Sequence, residues 1–146
     1  MKKENLFEEE GVSPTPTHRG FHIMLDLMGV PYDQCVDDAG LLNLISNAAT
    51  RAGCTVINSI RYRFGHNSPD GCTAIAMLDE SHVAVHTYAE IGLMAVDIFT
   101  CGTEAKEKTG RIVQMIKDVI TYTEITETIL KRFVIQPQGS PVPVRV

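Results

Sequence analysis

No run of apolar residues in this 146-residue chain approaches the ~20 that a membrane span needs. The opening stretch, MKKENLFEEEG, has two lysines but no apolar segment behind them. It does not read as a secretion signal, and a cytoplasmic location is expected. The four cysteines, at positions 35, 54, 72 and 101, form no CxxC pair and no zinc-finger spacing. In a reducing compartment they are expected as free thiols. Clusters of Lys and Arg are missing too. Residues 1–80 carry six basic and eleven acidic side chains, and residues 81–146 carry seven of each, so the whole net charge of −5 lies in the first part. That balance argues against a nucleic-acid surface and suits a cationic substrate. The plainer reading of the same charges is solvated surface.

What is present is enough for one compact domain: 44% hydrophobic and 21% charged residues. Residues 1–17, with an acidic run at Glu8, Glu9 and Glu10 followed by Ser13-Pro14-Thr15-Pro16, read as a flexible arm. The alternation of Phe21, Ile23, Leu25 and Leu27 predicts a strand over 20–28. Asp37 or Asp38 is suited to cap a helix whose apolar positions are Leu41, Leu44, Ile45, Ala48 and Ala52, with Gly53 as its stop. Residues 54–64 read as a strand and 65–72 as a loop. Strands over 73–79, 82–88 and 93–100 follow so closely that an antiparallel meander is expected. Ile112, Met115, Ile116 and Val119 make the stripe of a second helix over 104–120. Residues 121–132 fit either helix or strand, and 133–146, with three prolines, read as a flexible tail. The fold class is therefore α+β, a two-layer sandwich with helices on one face of an antiparallel sheet. The chain has few elements left to cover the other face, so a partner subunit is expected there.

The chemistry-bearing residues crowd into 79–101, DESHVAVHTYAEIGLMAVDIFTC. In an extended strand His82, Ala84, His86 and Tyr88 share one face. If 82–88 and 93–100 form a hairpin, Cys101 returns toward Ser81. Three chemistries fit. One is a Ser or Cys nucleophile with a His base, although Ser81 lacks the flanking glycines of a GxSxG elbow. Another is a zinc site built from His82, His86 and Cys101 with His18 or His22, although the HxxxH spacing faces one way on a helix and this segment reads as a strand. The third is self-processing, in which the Ser81 hydroxyl attacks the carbonyl before it and elimination leaves a ketone at a new N-terminus. Asp97, in an apolar strand, is expected to have a buried partner. Cys35, Cys54 and Cys72 are given no role, and His18 and His22 are read as structural.

ESHVAVHTYAE followed by AVDIFTCG resembles the bacterial and archaeal S-adenosylmethionine decarboxylases, whose usual pattern is close to SESHLTIHTWPE and then AIDLFTCG. HRGFHIMLDLMGV resembles that family's opening strand, and the likeness runs over residues 18–132. The resemblance implies a pyruvoyl-dependent proenzyme that cuts itself between Glu80 and Ser81 into chains 1–80 and 81–146. Ser81 would become the pyruvoyl group, a ketone that condenses with the substrate amine as a Schiff base. His86 would accept the serine Cα proton during processing, Cys101 would return a proton to the substrate carbon, and Thr73 would stand where a processing serine is usual. Phe64 and Tyr88 would hold adenine and sulfonium, and Glu90 the ribose hydroxyls. Tyr88 and Ala89 depart from the family's Trp-Pro, and the loop 65–72 is longer than usual. These departures keep arginine and ornithine as alternative substrates. No metal is implied, nor pyridoxal phosphate. A homodimer is implied, in which two sandwiches stack as a four-layer αββα assembly. A non-catalytic paralogue that binds an active partner is the remaining reading.

Overall fold

The structure, a computed structural model, describes residues 17–135 and 141–142. The expected flexible arm therefore lies outside the described residues, Thr17 apart, as does most of the expected tail. In chain order the elements are β1 (Thr17–Met28), α1 (Tyr32–Cys35), α2 (Asp38–Arg51), β2 (Val56–Phe64), β3 (Gly71–Leu78), β4 (Ser81–Tyr88), a single 3-10 turn (Ala89–Ile91), β5 (Leu93–Cys101), α3 (Ala105–Val119), β6 (Glu124–Ile135) and β7 (Pro141–Val142). The strands form one sheet in the order β2-β3-β4-β5-β1-β6-β7, with antiparallel neighbours throughout.

Alternation sorts each strand's side chains between two faces. On one face Phe21, Ile23, Leu25 and Leu27 of β1 meet Val83 and Val85 of β4 and Met94, Val96 and Ile98 of β5, all buried. Leu41, Ile45, Ala48 and Ala49 of α2 and Ile112, Val113 and Ile116 of α3 close over them. At roughly 1.5–3 kcal/mol per large side chain removed from water, this layer is the main source of stability. Asp37 caps α2 by accepting a hydrogen bond from the Gly40 N–H at 2.9 Å.

The sandwich with helices on one face, the meander and the two long helices stand as the sequence predicts. Of residues 121–132, ambiguous between helix and strand, 124–132 fall in β6, which continues to Ile135. Its side chains are mostly exposed, so no burial period marks it in the sequence. The turn of helix α1 was not foreseen, and β1 lies in the interior of the sheet, between β5 and β6. Asp97 departs from expectation. It lies on the open face of β5 with its side chain 47% exposed, and the His22 Nε2 stands 3.9 Å from its carboxylate. Strand alternation turns Asp97 away from the core that its apolar neighbours Val96 and Ile98 enter.

Candidate active site

The face without helices carries His82, His86 and Tyr88 of β4 and Phe99 of β5. Ser81 opens β4 opposite Thr100, and Cys101 ends β5. The Ser81 Oγ and the Cys101 Sγ lie 3.3 Å apart. The Cys101 N–H also donates to the Glu80 carbonyl at 3.1 Å. Two features hold Cys101 there. Gly102, at φ 100°, turns the chain out of the strand in a conformation that favours glycine. Behind it the buried hydroxyls of Thr100 and Thr109 meet at 2.8 Å, and both donate to the Ala105 carbonyl, which locks β5 to α3. The hairpin return of Cys101 toward Ser81, expected from the sequence, is present.

His86 and Thr73 form a second group. They face each other across β3 and β4, with the His86 Nδ1 2.9 Å from the Thr73 Oγ1. His86 stands five residues beyond Ser81 on the same strand, about 16 Å at ~3.3 Å per residue. The sequence placed Ser81, Cys101, His86 and Thr73 in one constellation. The fold of one chain divides them into two pairs at opposite ends of β4.

Beside the Ser81–Cys101 pair, running across β5 toward β1 and β6, lies an aromatic and basic patch. His22 and His82 both pack on Phe99, with ring centroids 5.5 and 5.9 Å away, and the Arg132 guanidinium sits 5.1 Å from the same ring. Both His22 ring nitrogens are buried without a hydrogen-bond partner among the described residues. Burial holds His22 below its ordinary pKa, reinforced by His82 and Arg132 and opposed by Asp97. The sequence marked His22 as structural. Only the placement of β1 beside β5 brings it into this patch. The side chain of His18 lies outside the described residues. Among the described residues no group of three His, Cys, Asp or Glu side chains stands close enough to hold a metal ion.

At the His86 end a cavity of about 410 Å³ opens, lined by Phe64, Pro69, Asp70, Tyr88, Glu90 and Ile91, among others. All three expected substrate contacts, Phe64, Tyr88 and Glu90, meet here. The walls approach closely because Gly71 has no side chain. A Cβ at that position would stand 2.4 Å from the Thr87 carbonyl oxygen. Asp70 was missed, since Pro69-Asp70-Gly71 reads simply as a turn. Its carboxylate accepts a hydrogen bond from the Tyr32 hydroxyl, which raises the Tyr32 pKa. Its carbonyl accepts from the Ala89 N–H at 3.0 Å. Behind the cavity wall Cys35 and Cys72 are buried free thiols in contact with Thr87, and burial pushes Cys35 up to about 11. Cys54, also a buried free thiol, lies at the Glu80 end of the sheet.

A sequence model of the family described as S-adenosylmethionine decarboxylase matches residues 21–133. This chain belongs to that family. A proenzyme of that name from Persephonella marina is 34% identical over 113 residues, which cover 77% of this chain and 81% of the relative. One from Sulfurihydrogenibium is 33% identical over 122 residues, covering 82% and 88%. One from Synechococcus is 45% identical over 83 residues, and the match spans 57% of this chain and 62% of that relative's length. The crystal structure of the adenosylmethionine decarboxylase from Aquifex aeolicus superposes with a TM-score of 0.75 at 30% identity, over 85% of this chain and 98% of that one. The relatives' name, proenzyme, says that they are processed. In this member of the S-adenosylmethionine decarboxylase family a serine hydroxyl, the carbonyl just before it and a thiol in contact with that hydroxyl stand together. Among the described residues no helix is long and apolar enough to cross a membrane.

Proposed function

We propose that this chain is a self-cleaving, pyruvoyl-dependent decarboxylase that converts S-adenosylmethionine to its decarboxylated form and CO2. The product is the aminopropyl donor for spermidine synthesis. The chain is expected to act in the cytoplasm. The observation that carries the reading is the contact of the Ser81 Oγ with the Cys101 Sγ at 3.3 Å, beside the Glu80 carbonyl.

The processing chemistry follows from these atoms. The Ser81 Oγ attacks the Glu80 carbonyl carbon. The C–O bond forms, the C–N bond breaks, and the hydroxyl proton passes to the nitrogen, so the amide becomes an ester. A base then removes the Ser81 Cα proton, and the Cβ–O bond breaks, releasing Glu80 as a carboxylate. Water replaces the nitrogen of residue 81, which leaves as ammonia, and a ketone remains at the start of chain 81–146. When present, that pyruvoyl group supplies an electron sink for the pair left behind by CO2. Cys101, exposed and adjacent, then delivers the thiol proton to the substrate carbon.

His86 is the proposed base, with Thr73 fixing its ring. At about 16 Å along the strand it does not reach Ser81 of its own chain. The open face supports a remedy, since it presents Ile60 at 66%, Tyr62 at 65% and Met77 at 47% exposure around the reactive groups. Two copies stacked by these faces in a four-layer homodimer would bring the His86–Thr73 pair of one to the Ser81–Cys101 pair of the other. Two half-sites on each chain would then make two whole sites. In the cavity, Phe64 and Tyr88 offer faces to adenine and the sulfonium, and Glu90 accepts from ribose hydroxyls. Asp70 adds a second carboxylate, which also suits a doubly cationic substrate such as arginine or ornithine.

Intact mass measurement of the denatured protein beside Ser81→Ala tests the reading. Two chains split after Glu80, with a pyruvoyl mass on the second, are expected from the unmodified protein alone. Decarboxylation assays with S-adenosylmethionine, arginine and ornithine side by side test the substrate. Turnover of either amino acid without turnover of S-adenosylmethionine overturns it.

A further inference from the structure

The turn between β3 and β4, which contains the proposed cleavage site, is tied down from the helix layer. The Asp79 N–H donates to the Thr55 carbonyl at 2.9 Å. The Thr55 N–H in turn donates to the Glu80 carboxylate, 3.0 Å from one oxygen and 3.3 Å from the other. Lys108 of α3 brings its Nζ to 3.8 Å from the same carboxylate, and the two side chains are only 18% and 16% exposed. The Lys108 stem runs over Gly53, its Cε 3.6 Å from where a Cβ would stand. The Glu80 carbonyl accepts from the Cys101 N–H at 3.1 Å. An unmoored turn residue would leave its carboxylate in water. Here it is drawn in and paired, and none of these contacts involves the substrate cavity.

The attack of Ser81 on the preceding carbonyl sets a geometric demand. Negative charge grows on the Glu80 carbonyl oxygen as the tetrahedral centre forms, and a donor already aimed at that oxygen stabilises it without reorganisation. The carbonyl must also hold its direction, since rotation of the Glu80 peptide would turn its carbon away from Oγ. On the self-cleavage reading above, we infer that the Glu80 side chain is the handle that sets this geometry. The Cys101 N–H is the oxyanion donor, and Lys108, with the Thr55 N–H, is a positioning residue for self-cleavage. The step needs no co-reactant: one C–O bond forms, one C–N bond breaks, and the Ser81 hydroxyl proton moves to the departing nitrogen.

The test follows the appearance of chain 81–146 by intact mass in freshly made full-length protein, for the unmodified chain, Lys108→Met, Lys108→Arg and the uncleavable Ser81→Ala. Thermal melting and turnover per pyruvoyl group are measured on the same samples. Lys108→Met is expected to slow cleavage about tenfold or more, with Lys108→Arg restoring it to within about threefold. Turnover per pyruvoyl group should fall far less than cleavage does. If Lys108→Met melts below the assay temperature, Glu80→Gln decides, because it keeps an acceptor for the Thr55 N–H while losing the ion pair. It should cleave several-fold more slowly. Cleavage of these variants at the unmodified rate overturns the positioning role. So does a loss that tracks melting and is not rescued by arginine. An unmodified chain that is never cut after Glu80 overturns the self-cleavage reading itself, and the handle with it.

Discussion

On the face of the sheet that carries α2 and α3, Val83 and Val85 of β4 are closed off from solvent. On the other face of the same strand His82, His86 and Tyr88 are open or partly so, with Tyr88 at 55% exposure. Consecutive residues thus belong to different problems. The covered face is filled with aliphatic side chains and answers for stability. The open face holds a thiol, imidazoles and aromatics among exposed apolar residues; it is not complete as a core and, on the proposed reading, not complete as a site within one chain. A change on the first should alter melting and spare chemistry, and a change on the second should do the reverse.

The largest expected effect on the open face is all-or-none. Ser81→Ala and His86→Ala should each leave the chain uncut when made alone. Made together, they should form mixed dimers in which intact His86 of the first serves intact Ser81 of the second. Mass spectrometry should then find the His86→Ala chain cut and the Ser81→Ala chain whole. No cutting in the mixture would mean that the two half-sites do not join across subunits. Next, Ala84→Glu puts a carboxylate opposite Asp97 in the middle of the open face. Self-association, read by sedimentation, should weaken about a hundredfold or more, because like charges set face to face cost several kcal/mol. Cleavage should fall with it.

Ile98→Ala, on the covered face next door, sharpens the contrast. It empties a fully buried site and should cost about 2–5 kcal/mol in denaturant unfolding. The molecules that remain folded should still cut themselves. The smallest effect is in pH. Because burial holds His22 below its ordinary 6.5, the unfolded chain takes up a proton that the folded chain resists as the pH falls through that value. Folded stability therefore declines as the pH drops below 6.5 toward the depressed folded value. His22→Phe should flatten that decline in melting curves taken between pH 7 and pH 5. An unchanged slope would remove His22 as its source.

Much of this was legible because it is local. The meander of β3, β4 and β5 follows from strands with almost nothing between them, and the hairpin register alone returns Cys101 to Ser81. The loop before β3 and the 3-10 turn after β4 are neighbours through the β3–β4 pairing, so Phe64, Tyr88 and Glu90 line one cavity. What escaped is non-local. β1 inserts between β5 and β6, strands far from it in sequence, and this brings His22 to Phe99. β6 is exposed along most of its length and carries no period to read. Asp97 stands half exposed because only alternate residues of β5 enter the core.

The sequence by itself determined strands β1 to β5, the two long helices and the hairpin that returns Cys101 to Ser81, since each depends on alternation, helical spacing or a short connection. Only the tertiary structure decided how those residues are grouped. The rise of an extended strand parts His86 from Ser81 by more than a side chain can span, so the proposed site needs a second copy. The packing of α3 against the end of α2 carries Lys108 to the Glu80 carboxylate, a contact between residues that no local pattern relates.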